Sequence, residues 1–364
     1  MKKSKIASIF GGVMALTMAL TGCGNTSTNS TSTAASNTDS AAGSTANSAA
    51  ESSAPTTSGE KKIGVIQYAP HPSLDNCYKG IEEGLNASSL AGTFTIDLQN
   101  AQGSTETADQ IAKNMVANKY DMIFAIATPA AVSAYSAAKD SNIPVIFCSV
   151  SDPVAAGLTE SMDKGLETCV GSSDVLNFDK QVELIKTVQP DVKKIGVLYT
   201  NTEANSVSQL KTFKEVCSNN GIEVVDQSVS GAADIPQAAA DLASKVDCIN
   251  NFTDNNVVNN LSVLLEKANA AKVPVYGSEV EQVKNGCIAS MSIDYVELGK
   301  ATADMGVEVL NGKKCSDMGV KVFSECTPVF NTEVMDSFGI TIPDAYKDAE
   351  KVTTNKADDT SAAA

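Results

Sequence analysis

The chain repeats part of its own sequence. The segment KKIGV at 61–65 returns at 193–197, NIPV at 142–145 is echoed by KVPV at 272–275, and ATP at 127–129 corresponds to FTD at 252–254. The three echoes occur in the same order in both copies. Because internal similarity of this kind marks repeated structural units, the sequence predicts two copies of one fold.

Short β-rich runs alternate with helix-length stretches along the body of the chain. The predicted strands are 63–68, 94–99, 122–127, 145–150, 195–200, 223–228, 247–251, 273–277 and 288–293, and the predicted helices are 74–86, 105–118, 129–141, 204–219 and 255–271. Nearly continuous apolar strands separated by helices are typical of parallel sheets covered on both faces. We therefore predict an α/β protein with two Rossmann-like lobes, each built on a parallel sheet.

The N-terminus has the character of an export signal followed by a tether. Basic residues precede an apolar run at 6–20, which is too short to span a bilayer as a helix and fits a signal peptide. The run ends in LTGC at 20–23, which resembles the lipobox where a diacylglycerol is attached to the cysteine. We predict a lipoprotein signal peptide over 1–22 and a lipid anchor on Cys23. The protein would then be extracytoplasmic and held at the cell membrane.

Two segments are too polar to form a core. Among residues 24–60, 33 of 37 are Ser, Thr, Ala, Asn or Gly, and none is aromatic. Such composition cannot bury enough apolar surface to offset its ordering entropy, so we predict a flexible linker over 23–60. A disordered tail is predicted over 351–364.

Composition excludes several classes of function. The net charge of −16 argues against nucleic acid and against adhesion to anionic lipid through a basic patch. The single histidine, His71, and the absence of any CxxC pair argue against a metal site, and we expect no cofactor. Several of the eight cysteines after Cys23 lie in apolar strand-like runs, so we predict mostly free, buried thiols.

In open parallel sheets, ligands bind just beyond the carboxyl ends of the strands. Two such units facing each other would place all those ends around one cleft. The candidate ligand-binding residues are therefore those of the loops after the strands, namely Gln67, Tyr68, His71, Thr128, Pro129, Ala130, Ser151, Asp152, Asn205, Asp254, Asn255 and Glu279.

These loops carry five short motifs: HPxLD at 71–75, TPAA at 128–131, SDPxxAGL at 151–158, EANS at 203–206 and DYxxLG at 294–299. Together they resemble the ABC-transporter substrate-binding proteins of the tryptophan-type group, which have the type I periplasmic-binding-protein fold. The resemblance extends over about 61–349. Ser151 stands where the group more often has threonine, and Tyr295 lacks the adjacent second tyrosine.

The resemblance implies a monomeric binding protein, not an enzyme, that passes a small solute to an ABC permease and its ATPase. The implied ligand is an amino acid, tryptophan or another aromatic one, with a nucleoside or peptide as the alternative. Lobe 1 would comprise 61–173 and about 293–330, and lobe 2 would comprise 174–292 and about 331–350. A multi-strand hinge would join them near 172–174, 293–294 and 328–331.

The chemistry of a free amino acid fits these loops independently of the resemblance. Its carboxylate needs backbone N–H groups and a hydroxyl, which the turn beginning at Thr128 offers; the alternative, which we favour less, is that Thr128 is a simple N-cap. Its ammonium needs a carboxylate. Asp254 is the first choice, and Asp152 and Glu279 are the other candidates.

Alternative roles are open for the other predicted cleft residues. His71 is expected to line the cleft and not to act as a catalyst, while Asn205 would bond either the ligand or the loop backbone. Aromatic residues that end strands would either wall the ligand pocket or pack in the core. They are Tyr68, Tyr199 and Phe252.

Two other classes of function compete with transport. A sensory module of a signalling system has the same fold, but it would need a separate effector partner. An exported enzyme would need a nucleophile with a base, a carboxylate pair or a metal cluster. The sequence has no Gly-x-Ser-x-Gly elbow and only one histidine, which favours binding over catalysis.

Overall fold

The computed structural model describes residues Glu60–Asn355. The predicted signal peptide, the anchor at Cys23, the linker and most of the predicted tail lie outside these residues. Across the described part of the chain, no helix has the length and apolar character needed to cross a membrane.

The helices and strands follow one another in three stretches of the chain. The first contains β1 (Lys61–Gln67), α1 (Pro72–Ala87), β2 (Phe94–Asn100), α2 (Thr105–Ala117), β3 (Met122–Ile126), α3 (Thr128–Ala138), β4 (Val145–Cys148), β5 (Thr159–Ser161), β6 (Lys164–Gly165) and β7 (Cys169–Ser173). The second contains α4 (Phe178–Val188), β8 (Lys194–Thr200), α5 (Ala204–Asn219), β9 (Glu223–Val229), α6 (Ile235–Ala243), β10 (Cys248–Asn250), α7 (Asn255–Asn259), α8 (Leu261–Ala270), β11 (Val275–Tyr276), α9 (Val280–Lys284) and β12 (Ala289–Ser292). The third contains α10 (Tyr295–Leu310), β13 (Lys321–Val322), β14 (Thr327–Asn331), α11 (Thr332–Phe338) and β15 (Glu350–Val352).

The strands form one parallel sheet in each lobe. Lobe 1 has the order β13-β7-β4-β3-β1-β2, and lobe 2 has the order β11-β10-β8-β9. A further sheet, β12-β14-β15, continues lobe 2, since the amide of Gly277 just after β11 donates to the carbonyl of Ala289 in β12. The α/β architecture with two parallel-sheet lobes is as predicted.

The two sheets repeat one topology. The order β2-β1-β3-β4 in lobe 1 matches β9-β8-β10-β11 in lobe 2, and both β1–β2 and β8–β9 pair in parallel over seven residues. The duplication inferred from the echoed segments is therefore present in the fold, and each predicted strand overlaps an observed one. The predicted helix over 255–271 is divided into α7 and α8 at Asn260.

Two predicted boundaries need correction. The chain passes from lobe 1 to lobe 2 between β13 and β14, before residue 327, so lobe 1 does not extend to about 330. The reason is that β14 pairs antiparallel with β12, and its Val329 and Phe330 pack in lobe 2. The predicted tail also begins too early, because Lys351 and Val352 lie in β15 and pair with β14.

Each lobe has a core of its own. In lobe 2 the rings of Phe178, Phe213 and Phe252 contact one another with centroids 5.1 to 5.4 Å apart. Burial of such a side chain stabilises the fold by roughly 1.5–3 kcal/mol. Seven of the eight described cysteines are buried, as predicted, and Cys326 is half-buried.

Helices α1 and α10 of lobe 1 approach so closely that glycine is required at the contact. A methyl group at Gly299 would collide with the carbonyl oxygen of Cys77 and would lie 2.9 Å from the Cα of Gly80. The LG pair of the motif at 294–299 therefore has a packing role.

We expect Gly299→Ala to lower the free energy of unfolding by roughly 2–3 kcal/mol, because two helix backbones would have to separate. Urea unfolding followed by circular dichroism measures the loss. Gly231→Ala is the matched control, since a Cβ there meets open space on extended backbone. Equal unfolding midpoints for the two variants would contradict the close packing.

Candidate functional site

A cavity lies where the carboxyl ends of the two sheets face each other. Its walls come from both lobes and from the crossing segments. The lining residues are His71, Ser73, Leu74, Ala127, Thr128, Ser149, Ser151, Asp174, Asn205, Thr253, Asn255, Val258, Glu279, Gln282 and Tyr295. The position agrees with the rule that open α/β sheets bind ligands beyond their strand ends.

On the lobe 1 side, helix α3 begins at the cavity without a side-chain cap. Ala127 precedes it with φ 77° and ψ 153°, a conformation that residues other than glycine rarely adopt. The first intrahelical bond runs from the amide of Ala131 to the carbonyl of Ala127, so the amides of Thr128 and Ala130 have no partner within the helix, and Pro129 has no N–H. Thr128 lines the cavity at this point. Free amide groups at the positive end of a helix favour an anion.

On the lobe 2 side, Glu279 presents a buried carboxylate to the cavity. Its oxygens accept hydrogen bonds from the amides of Glu281 (2.6 Å) and Gln282 (2.8 Å), which caps α9. Burial raises the pKa of Glu279 to about 7, because the charged form loses its hydration, and the bonds it accepts, including one from Ser73 of lobe 1, only partly offset this. A cationic group in the cavity would favour its ionised form.

A second buried carboxylate, Asp174, lies at the hinge immediately after β7. It accepts hydrogen bonds from the hydroxyls of Ser149 (2.9 Å), Ser151 (3.2 Å) and Tyr295 (3.1 Å). Burial raises the pKa of Asp174, and the three hydroxyl donors act in the opposite direction. Asp174 therefore ties the loop after β4 to the start of α10.

The structure places Asp254, the first choice as ammonium partner, behind the cavity wall. It is fully buried, and it accepts hydrogen bonds from the amide and the hydroxyl of Thr200 (2.6 and 2.9 Å), the hydroxyl of Ser206 (2.7 Å) and the amide of Val257 (2.9 Å). These four donors occupy both oxygens. The geometry thus gives Asp254 a structural role, as the N-cap of α7 and a tie to β8 and α5.

Six predicted residues reach the cavity, namely His71, Thr128, Ser151, Asn205, Asn255 and Glu279. The others shape the loops behind it: Gln67 donates to Ala69 (2.9 Å) and Asp75 (2.8 Å), and the hydroxyl of Tyr68 donates to the carbonyl of Gly103 (2.9 Å). Pro129, Ala130 and Asp152 also lie off its wall. Phe252 packs with Phe178 and Phe213, and Tyr199 packs against the lobe 2 core, and neither lines the cavity.

Several lining residues were not among the candidates: Ser73, Leu74, Ala127, Ser149, Asp174, Thr253, Val258, Gln282 and Tyr295. Most lie within a few residues of a predicted strand end or in the first turn of a helix, so the strand-end rule applied residue by residue would have included them. Tyr295 also follows a predicted strand, 288–293, as the first residue of α10, and its hydroxyl donates to Asp174.

Helix α5 of lobe 2 also bonds the loop after β4 of lobe 1. The hydroxyl of Ser208 donates to Asp152 (2.5 Å), and the side-chain amide of Gln209 donates to the hydroxyl of Ser151 (2.9 Å). We call these two contacts the α5 latch. They hold the lobes together over the cavity.

A family model described as ABC transporter substrate binding protein matches residues 62–353. The chain belongs to this family. A tyrosine-binding protein of Clostridioides difficile (strain R20291) is 38% identical over 278 residues, which cover 76% of this chain and 80% of that protein. The substrate-binding proteins of ABC transporters are a non-enzymatic family, so the prediction that the chain is not an enzyme is confirmed.

Two solved structures of similar sequence differ in state. An ABC domain from Streptococcus pneumoniae in complex with L-Trp is 38% identical, with TM-score 0.78, and a ligand-free, open substrate-binding protein with adhesive properties from Clostridium difficile is 36% identical, with TM-score 0.63. Each covers 81% of this chain and is itself covered completely. Solute-binding proteins of sugar transporters and one solved with myo-inositol, at 17% identity or less, share the fold alone.

The substrate-binding protein described here resembles the ligand-bound relative more than the open one. Since identity and coverage barely differ between the two structures, we interpret the difference in TM-score as a difference in lobe arrangement. The α5 latch agrees with this interpretation, because its hydrogen bonds join lobe 1 to lobe 2.

We expect Gln209→Ala to weaken ligand binding about fivefold to tenfold without a contact to the ligand, because one cross-lobe hydrogen bond of the closed state is lost. Small-angle X-ray scattering checks the cause, since the unliganded variant should have a larger radius of gyration than the wild type. Gln237→Ala, on the exposed face of α6, is the control. An unchanged dissociation constant for Gln209→Ala would show that the latch does not contribute to closure.

Proposed function

We propose that this protein captures a free aromatic amino acid, tryptophan or tyrosine, and delivers it to an ABC importer. The observation that carries the proposal is the pairing of opposite charges in one cavity. The uncapped start of α3 on lobe 1 attracts an anion, and the buried carboxylate of Glu279 on lobe 2 attracts a cation. The carboxylate and ammonium of an amino acid provide one of each.

In this arrangement the ligand carboxylate binds the first amides of α3 and the hydroxyl of Thr128. The ammonium binds Glu279, whose desolvation is then compensated by the new ion pair. Apolar surface for the ligand side chain comes from Leu74 and Val258. The names of the relatives support the same class, since one is a tyrosine-binding protein and another was solved with L-Trp.

The same proposal covers location and partners. The lipobox-like segment ending at Cys23 supports a lipid anchor that holds a monomer outside the cell membrane. The closed two-lobed form would then be the state recognised by an ABC permease coupled to its ATPase.

A thermal-shift screen of the purified protein tests the ligand class. Ligands that bind only the folded state raise the melting temperature, and we expect tyrosine or tryptophan to give the largest shift among the twenty amino acids, nucleosides, sugars and short peptides. A shift with a nucleoside or peptide and with no amino acid would refute the amino-acid assignment while leaving the transport role intact.

Amino-acid binding should strengthen as the pH rises from about 5.5 to 7 and then level off. The pKa of Glu279 in the unliganded protein is about 7, against an ordinary value of 4.5, so below pH 7 the ligand ammonium must displace a proton. The dissociation constant should fall by up to about tenfold per pH unit in this window.

The same raised pKa of Glu279 makes the unliganded protein less stable as the pH rises from 4.5 to 7, because the folded state retains a proton that the unfolded state releases.

Calorimetric titrations in buffers of different ionisation enthalpy measure this proton release. Glu279→Gln should abolish it. Glu203→Gln is the comparison, because burial and the neighbouring Asp254 also raise the pKa of Glu203, which lies off the cavity. Binding that is independent of pH between 5.5 and 7 would contradict the role given to Glu279.

A further inference from the structure

Two cavity-lining side chains keep polar atoms that no other described residue satisfies. Both ring nitrogens of His71 and the Oδ1 atom of Asn205 are buried without a hydrogen-bond partner, and the two residues are only 8% and 3% exposed. Buried polar atoms in folded proteins are nearly always paired. A partner from outside the chain is therefore expected at this place.

The two side chains face the cavity from opposite lobes. His71 precedes α1 of lobe 1, and its ring does not cap that helix. Asn205 lies in the first turn of α5 of lobe 2, where its Nδ2 atom contacts Glu203 (3.3 Å), Ser206 (3.3 Å) and the carbonyl of Thr253 (3.2 Å). These contacts fix the amide so that Oδ1 is the free end, which can only accept a hydrogen bond.

His71 is a neutral hydrogen-bonding group. Burial lowers its pKa to about 4, and the neighbouring Asn255 and Asp75 offset this only in part. A neutral imidazole carries one donor and one acceptor. Together with Oδ1 of Asn205, the ring offers a ligand two acceptors and one donor, with no formal charge.

This uncharged pair is distinct from the two carboxylates of the site. The hydroxyl of Tyr295 donates to Asp174 (3.1 Å), and burial, with Asp174 and Glu279 nearby, raises the pKa of Tyr295. His71 lies near Asn255 and Asp75. Asn205 and Asn255 in turn are joined through Glu203, to which both side-chain amides donate. His71 and Asn205 are therefore connected to each other through Asn255 and Glu203.

We propose that His71 and Asn205 bind the hydrogen-bonding group at the tip of the ligand side chain and so select against phenylalanine. The proposal rests on the proposed function, since it takes Glu279 as the ammonium partner. A phenol hydroxyl can donate to Oδ1 of Asn205 and accept from His71, and an indole N–H can donate to either acceptor. A phenyl ring would leave the three buried atoms unpaired. Sites built to bond a polar group strongly reject an analogue that lacks this group.

Titration calorimetry with L-tyrosine, L-tryptophan and L-phenylalanine tests the selection. We expect phenylalanine to bind at least about 100-fold more weakly than the better of the other two. In His71→Leu the tyrosine-to-phenylalanine ratio should fall at least about tenfold, because the unpaired ring nitrogens are gone and apolar surface replaces them. His71→Asn, which keeps a donor and an acceptor, should restore part of the ratio.

Ser133→Ala is the matched control. The hydroxyl of Ser133 is also buried and unpartnered, but it does not line the cavity, so the ratio should stay at its wild-type value. Similar affinities for all three amino acids, or a ratio that His71→Leu leaves unchanged, would overturn the selectivity proposal alone. Failure of every amino acid to bind would overturn the proposed function and this selectivity with it.

Discussion

Glu279→Gln should weaken the binding of tyrosine or tryptophan by about 100-fold or more while the protein stays folded. Removing one partner of a buried, hydrogen-bonded charge pair costs roughly 2–5 kcal/mol. Glutamine keeps the size of the side chain and one acceptor for the cap of α9, and it removes a carboxylate that burial destabilises. The stability of the unliganded variant should therefore lie within about 1 kcal/mol of the wild type.

Calorimetric titration and thermal melting of the same sample separate the two effects. Glu106→Gln is the matched control, because Glu106 lies in the first turn of α2 but is exposed and does not line the cavity. Glu106→Gln should change neither the dissociation constant nor the melting temperature. If Glu279→Gln bound its ligand as tightly as the wild type, the ammonium would have to bind elsewhere, and Asp174 would be the next candidate.

Asp254→Ala should have the opposite pattern, with a large loss of stability and little change in the affinity of the folded protein. Four donors from Thr200, Ser206 and Val257 would lose their acceptor in a buried place. We expect a loss of about 4 kcal/mol, or a fall in melting temperature of roughly 8 °C, partly offset by relief of the repulsion with Glu203.

The measurement is chemical unfolding without ligand, followed by titration at a temperature where the variant is folded. Asp294→Ala provides the comparison, because Asp294 also caps a helix, through the amides of Val296 and Glu297, but it is exposed. That change should cost only about 1 kcal/mol. Loss of binding with unchanged stability in Asp254→Ala would instead favour Asp254 as the ammonium partner.

The contrast between Asp254 and Glu279 shows why sequence identified the loops but not the ligand contacts. Each residue follows a strand and caps a short helix, so local pattern cannot distinguish them. The two residues differ in their tertiary contacts. Thr200 and Ser206, which are distant in sequence, donate hydrogen bonds to the oxygens of Asp254. Glu279 accepts from the two amides of its own helix and from Ser73 of lobe 1, and its carboxylate lines the cavity.

The fold was more predictable because its signals are local or repeated. Apolar runs located the strands of both sheets, and the echoed KKIGV segment located the start of β1 and β8. The errors fall on β14 and β15, which are short and pair with a partner distant in sequence. Phe252 was ambiguous for a similar reason, since only its contacts with Phe178 and Phe213 place it in the core.

The recognition of an amino-acid zwitterion in the closed cleft can be tested with the ligand's own fluorescence. The chain contains no tryptophan, so excitation of L-tryptophan near 295 nm has almost no background from the protein. Addition of the protein should shift the emission to shorter wavelength and saturate at one ligand per chain, because the indole enters a largely buried cavity. L-tyrosine should compete, whereas N-acetyl-L-tryptophan, without the ammonium, and tryptamine, without the carboxylate, should not. Two results would contradict zwitterion recognition between α3 and Glu279. One is displacement of L-tryptophan by either derivative at concentrations similar to those of L-tyrosine. The other is the absence of any spectral change with L-tryptophan together with no competition by any amino acid.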